Sequence, residues 1–130
     1  MGTLTVDLGD RSYPIHVTPD LPAERVASEA RRVRERFGTT QGSPVLLVSD
    51  TNVGPLYAGD VVVALEGQGF RVITHTIEAG EPSKSLETVS SLIDVALESG
   101  LGRRDLIVAL GGGVVGDIAG FTASILHRGI

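Results

Sequence analysis

Five glycines lie within residues 109–121, which read ALGGGVVGDIAGF. Gly111, Gly113 and Gly116 have the spacing G-x-G-x-x-G after an apolar run. When this spacing follows a strand and opens a helix, it favours phosphate binding, because a loop without Cβ atoms lets a pyrophosphate reach the backbone N–H groups. Glycines there also permit close packing of a helix on a strand, so the spacing by itself leaves both explanations open.

Polar side chains follow two other predicted strands. Asp50 and Asn52 come at the end of one apolar run, and Glu81 and Lys84 lie in a polar segment after the next. Carboxylates accept hydrogen bonds from ribose hydroxyls, and a lysine donates to a hydroxyl or a phosphate. Since ligands of parallel α/β sheets bind beyond the carboxyl ends of the strands, these residues and the glycines outline a nucleotide site. Each charge could instead be an exposed loop charge or a helix cap.

The elements that must position these residues follow from hydrophobic periodicity. Residues 4–8 and 13–18 alternate around a turn at 9–11, which predicts a hairpin. Beyond it, strands are predicted at 44–50, 70–77 and 106–110, and helices at 21–37, 56–65, 86–97 and 114–127. The continuous apolar run at 44–50 is typical of a strand covered on both faces. We therefore predict an α/β fold: a Rossmann-like parallel sheet with flanking helices, preceded by an N-terminal β-hairpin.

Composition excludes several functional classes. The 130 residues suit one domain, and the net charge of −5 argues against nucleic acid or an anionic membrane as partner. No cysteine is present, so disulfides and thiolate metal sites are excluded. Neither a secretion signal nor an apolar run of about 20 residues occurs, which predicts a cytoplasmic protein. His16, His75 and His127 are far apart, so we expect structural or solvated histidines and no metal ligand.

Four segments carry a resemblance to a known family. The stretches VSDTNVGPLY, GEPSKSLET, LGGGVVGDIAGFTAS and HRGI occur in the order and spacing of the 3-dehydroquinate synthases, the NAD-dependent enzymes of the shikimate pathway. The resemblance runs from the hairpin to Ile130. Other sugar-phosphate cyclases and the iron- or zinc-dependent alcohol and glycerol dehydrogenases share the glycine loop.

The resemblance implies a role for each candidate residue. The ribose and adenosine side of NAD would be contacted by Asp50, Asn52, Glu81 and Lys84, and its pyrophosphate by Gly112, Gly113, Val114, Val115 and Gly116. Asp117 would face the nicotinamide half. Arg128 matches an arginine that binds the substrate phosphate across a dimer interface, whereas the residues by themselves favour a cation that complements a helix C-terminus.

The resemblance also implies a reaction and a larger protein. Members convert 3-deoxy-D-arabino-heptulosonate 7-phosphate to 3-dehydroquinate with elimination of phosphate, using NAD and a divalent metal, zinc or cobalt. Their metal ligands and most substrate-binding lysines lie in a second, helical domain. Residues 1–130 are thus expected to form a single NAD-binding domain, the N-terminal part of a two-domain homodimeric enzyme, without catalytic residues and inactive alone. A stand-alone nucleotide-binding or assembly module and another sugar-phosphate cyclase remain as alternatives.

Overall fold

A computed structural model describes residues 2–130 as a hairpin followed by alternating strands and helices. The strands are β1 (Gly2–Val6), β2 (Tyr13–Val17), β3 (Pro44–Asp50), β4 (Arg71–Ile77) and β5 (Leu106–Leu110). The helices are α1 (Ala23–Arg34), α2 (Gly54–Gly67), α3 (Leu86–Glu98) and α4 (Gly113–Ile125). The predicted α/β fold with its N-terminal hairpin is confirmed.

The three-stranded sheet is parallel and has the order β4-β3-β5. β3 pairs with β4 from Pro44 opposite Arg71 onward, and with β5 from Val45 opposite Leu106 onward. β4 and β5 lie on opposite sides of β3, so the connection through α3 crosses over the central strand. The direction in which successive strands are added to the sheet therefore reverses beside β3, and ligands of open α/β sheets bind at this kind of position.

The core occupies both faces of the sheet, and β3 contributes to each. Leu46 and Val48 pack with α3 and α4, whereas Val45 and Leu47 pack with α1 and α2. All four side chains are at most 1% exposed. Burial on both faces explains why this strand is a continuous apolar run instead of an alternating one.

Element ends differ from the predicted ones where turns intervene. β1 ends at Val6, because the Ser12 hydroxyl accepts from the Leu8 N–H at 2.7 Å and donates to the Gly9 carbonyl at 2.7 Å, which closes a six-residue loop. α1 ends at Arg34 and continues as a short 3-10 turn to Phe37, which Gly38 terminates with φ of +130°. No helix within residues 2–130 is long and apolar enough to cross a membrane.

Candidate functional site

The residues proposed from the sequence to contact NAD lie after the carboxyl ends of β3, β4 and β5. Thr51 joins two of the loops there: its N–H donates to the Ile77 carbonyl at 3.0 Å, and its hydroxyl accepts from the Ala79 N–H at 3.0 Å. Sequence reasoning missed Thr51, since a hydroxyl one residue beyond a strand gives no signal of its long-range partner. Its two bonds hold the loop after β3 against the loop after β4.

The glycine loop passes directly into α4. Gly112 is the N-cap residue, and no side chain caps the helix. The first intrahelical bond of the turn runs from the Gly116 N–H to the Gly112 carbonyl at 3.1 Å, so the N–H groups of Gly113, Val114 and Val115 have no acceptor within the helix. Val115 is fully buried, and its side chain packs against Gly111 of the loop. The result is a set of backbone donors at the positive end of a helix dipole.

The two explanations for the glycines separate in the structure. A Cβ on Gly111 would lie 2.7 Å from Val115 Cγ2, so close packing of the loop on α4 requires that glycine. A Cβ on Gly112, Gly113 or Gly116 would meet nothing within 4 Å, and none of these residues has a positive φ. Neither backbone conformation nor packing within residues 2–130 therefore demands glycine at these three positions.

We predict opposite stability effects for two alanine substitutions in this loop. Gly111→Ala should destabilise the fold by about 1–3 kcal/mol, because the added methyl overpacks against buried Val115. Gly116→Ala should leave stability unchanged or raise it by about 0.5–1 kcal/mol, since it adds a better helix former in open space. The midpoint of urea unfolding measures both effects, provided that the free energy of unfolding depends equally steeply on urea concentration in all three proteins. Equal midpoints for Gly111→Ala and the unaltered chain would show that Val115 yields without strain.

The two carboxylate oxygens of Asp50 differ in their hydrogen bonding. The residue as a whole is 9% exposed, and its Oδ1 accepts from the N–H groups of Asn52 at 2.9 Å and Val53 at 2.7 Å. This oxygen therefore holds the turn between β3 and α2, but it does not cap α2, whose N-cap residue is Val53 and has no side-chain cap. Within residues 2–130, Oδ2 makes no hydrogen bond, so it remains available as an acceptor. The Asn52 side chain is exposed beside it.

Lys84 connects the loop after β4 to the first turns of α4. Its Nζ lies 2.8 Å from Asp117 Oδ2 and 3.6 Å from Glu81 Oε2. The hydrogen bond and charge of Asp117, with the charge of Glu81 adding to them, raise the pKa of the Lys84 ammonium above its usual value. The structure therefore places three candidate residues together, with a cation held beside the glycine loop.

Arg128 lies away from this group. It follows α4, whose 13 residues span about 20 Å, and its exposed side chain is therefore at the opposite edge of the sheet. Its φ is +69°, an uncommon conformation for a residue with a Cβ. Within one copy of residues 2–130, Arg128 and the glycine loop do not form a common site.

The three histidines are spread over the fold. The His16 Nδ1 lies 2.8 Å from the Thr3 hydroxyl, and the His127 Nε2 donates to the Leu101 carbonyl at 2.8 Å. His75 is half-buried in the middle of β4. Across the described residues 2–130, no three His, Asp or Glu side chains are grouped so that they could hold a metal ion.

Comparison with known proteins finds similar sequences. A family model described as 3-dehydroquinate synthase N-terminal matches residues 74–130. A 3-dehydroquinate synthase of Desulforamulus reducens is 45% identical over 135 residues, which cover 100% of this chain and 34% of the relative. That of Pelotomaculum thermopropionicum is 44% identical over 131 residues, covering 100% and 33%. The chain spans about a third of the length of these curated relatives.

Solved structures give the same fold. A 2-deoxy-scyllo-inosose synthase complexed with carbaglucose-6-phosphate, NAD+ and Co2+ matches with a TM-score of 0.77 and 27% identity, over 99% of this chain and 33% of that one. A 2-epi-5-epi-valiolone synthase from Streptomyces hygroscopicus subsp. jinggangensis, with NAD+ and Zn2+ bound, matches with a TM-score of 0.61 and 32% identity, over 68% and 25%.

Proposed function

We propose that this chain is the NAD-binding N-terminal part of a 3-dehydroquinate synthase, as the matching family model and the similar curated relatives support. The parent protein would convert 3-deoxy-D-arabino-heptulosonate 7-phosphate to 3-dehydroquinate with elimination of phosphate, which is a phosphorus–oxygen lyase reaction. The metal-bearing domain would lie in the remaining two thirds of the relatives' length. The whole would act in the cytoplasm as a homodimer.

The observation that carries this proposal is the open space at Gly112, Gly113 and Gly116. A glycine that neither the backbone nor a protein neighbour requires fits a position where a ligand approaches the main chain closely. The unpaired N–H groups of the first turn of α4 suit a pyrophosphate at that place. Packing within the chain accounts for Gly111, and the space beside the other three would admit a ligand.

The surrounding side chains suit the rest of NAD. Asp50 Oδ2 would accept a hydrogen bond from a ribose hydroxyl, with Asn52 and Glu81 on the same adenosine side. Lys84 would donate to a hydroxyl or phosphate, and Asp117 orients its ammonium beside the loop. Asp117 itself would face the nicotinamide half. NAD, when bound, supplies a reversible hydride acceptor.

The metal does not fit the residues described here. Because residues 2–130 hold no suitable group of ligands, we derive no metal-dependent step from them. Arg128 would meet the phosphate of the substrate only from the partner copy of a dimer, since it lies at the opposite end of α4 from the glycine loop. A small sugar phosphate would be the substrate of the assembled enzyme.

Two other functions differ from this one in testable ways. Another sugar-phosphate cyclase would use the same nucleotide site, and the two cyclase structures that match this fold favour keeping that candidate. A stand-alone nucleotide-binding module would bind NAD without belonging to a larger enzyme. The coding sequence that follows Ile130 decides between module and enzyme, and the product formed by the complete protein decides between cyclases.

We predict that the chain prefers NAD to NADP. The carboxylates of Asp50 and Glu81 would repel a phosphate on the ribose 2′-oxygen, and no arginine follows either of them closely. NADP should bind at least about tenfold more weakly, or about 1.4 kcal/mol, in calorimetric titrations. Asp50→Asn and Glu81→Gln should reduce the ratio of NAD affinity to NADP affinity, whereas Asp94→Asn, on an exposed part of α3, should not. Equal affinities for the two nucleotides would contradict the placement of the ribose.

A further inference from the structure

A second, cationic depression lies at the edge of the sheet where the strands begin. Its volume is about 370 Å³, and it is lined by Phe37, Arg103, Arg104 and Gly129. The two arginines precede β5, the phenylalanine ends the turn after α1, and the glycine follows α4. Arg104 is seven residues upstream of Gly111 along a strand that rises about 3.3 Å per residue, so this depression is on the order of 20 Å from the glycine loop.

The arginines of this depression lack carboxylate partners. Within residues 2–130, neither Arg103 nor Arg104 has an acidic oxygen within 4.0 Å. The nearest acid in the chain, Asp105, is already engaged: Oδ1 is 3.1 Å from the Arg34 Nε, and Oδ2 accepts from the Gly102 N–H at 2.7 Å. Two adjacent guanidinium groups are thus left uncompensated in a chain of net charge −5.

Local contacts hold the walls of the depression in place. The Arg104 guanidinium lies over the Phe37 ring, 5.1 Å from its centroid, which orients it and leaves its N–H groups free. The segment after α4 is tied to the loop before β5 by the bond from His127 Nε2 to the Leu101 carbonyl. That segment turns sharply, with positive φ at His127, Arg128 and Gly129, and the Ile130 N–H fixes its end on the Ala123 carbonyl at 2.9 Å.

We propose that this depression is a second anion site, which binds the phosphate group of a small phosphate monoester. Arg103 and Arg104 line the same depression, and guanidinium groups carry the charge and the N–H donors that a phosphate dianion requires. The Phe37 ring, 47% exposed, offers an apolar wall for the body of the ligand. The volume lies in the lower range of small-molecule pockets, about 300–1,000 Å³, and exceeds what a phosphate ion alone would fill.

Amide-resolved NMR titration of the labelled chain tests this site directly. Inorganic phosphate and phenyl phosphate are the probes, added at constant ionic strength. Both should shift the amides of Phe37, Arg103, Arg104 and Gly129, and phenyl phosphate should bind more tightly because its ring packs on Phe37. Arg103→Gln with Arg104→Gln should weaken binding at least about tenfold at these amides. Arg11→Gln with Arg25→Gln removes the same charge elsewhere and should leave the affinity of both probes for the depression unchanged.

The same spectra separate this site from the nucleotide site. Gly113→Val should remove any phosphate-induced shifts of residues 112–116 and leave those of Arg103 and Arg104 intact, so either site can fail without the other. Equal weakening by the two double substitutions would overturn the proposal. The proposal would also be overturned if phosphate shifted none of these amides. If sedimentation then showed a dimer that dissociates only in the Arg103→Gln, Arg104→Gln variant, the arginines would bind a second copy of the chain instead.

Discussion

Gly113→Val is expected to abolish measurable NAD binding while the fold remains intact. The valine side chain would project into the open space beside the first turn of α4, where the pyrophosphate is proposed to contact the N–H groups. Exclusion of the phosphates should weaken binding at least about a hundredfold, or about 2.8 kcal/mol. Calorimetric titration with NAD measures the loss. The double variant with Asp50→Ala should also show no heat.

A matched control distinguishes a local effect from misfolding. Gly59→Val places the same side chain at an exposed position of α2, where a Cβ also meets nothing within 4 Å. This variant should bind NAD like the unaltered chain, and all variants should keep their helical circular dichroism. If the Gly113→Val variant bound NAD with unchanged affinity, the glycine loop would not be part of the nucleotide site. Asp50→Asn is a milder companion to Asp50→Ala, because it keeps an oxygen for the N–H groups of Asn52 and Val53.

The chain of 130 residues is expected to catalyse no phosphate release from the heptulosonate phosphate, even with NAD and zinc present. Holding reactants in productive geometry supplies about 7–11 kcal/mol of barrier lowering. Residues 2–130 have no metal-ligand group, and Arg128 is about a helix length from the glycine loop. A bound NAD would therefore have no oriented substrate beside it. A coupled assay of free phosphate measures the rate.

Two controls make this prediction decisive. The 3-dehydroquinate synthase of Desulforamulus reducens, assayed in parallel, shows that substrate and coupling enzymes work. The Gly113→Val chain, purified in the same way, reports contaminating host enzyme, since it should carry the same contamination without binding NAD. Turnover by the unaltered chain above that of Gly113→Val would show that catalytic groups lie within residues 1–130.

Several features of the fold are predictable from the sequence, because they depend on short-range patterns. The apolar run of β3 indicates burial on both faces, and the strand–helix alternation indicates parallel pairing. Glycines that follow a helical pattern also indicate where the helical segment ends. Gly38 and Gly100 have positive φ values and terminate the segments that precede them. Element ends are less predictable: β1 stops at Val6 because Ser12, six residues later in the chain, accepts a hydrogen bond from the Leu8 N–H and donates one to the Gly9 carbonyl.

The resemblance to the 3-dehydroquinate synthases is also readable from the sequence, because four segments follow their order and spacing, and the matching family model and relatives bear out that resemblance. The sequence left each glycine with two explanations, and only the tertiary structure assigned Gly111 to packing on Val115 and left Gly112, Gly113 and Gly116 facing open space. The Lys84–Asp117 ion pair, the bonds of Thr51 and the distance of Arg128 from the glycine loop were likewise decided by the fold. The reason is physical: these relations depend on strand order and on the direction of side chains across the sheet, which join residues tens of positions apart, whereas periodicity reports only on near neighbours.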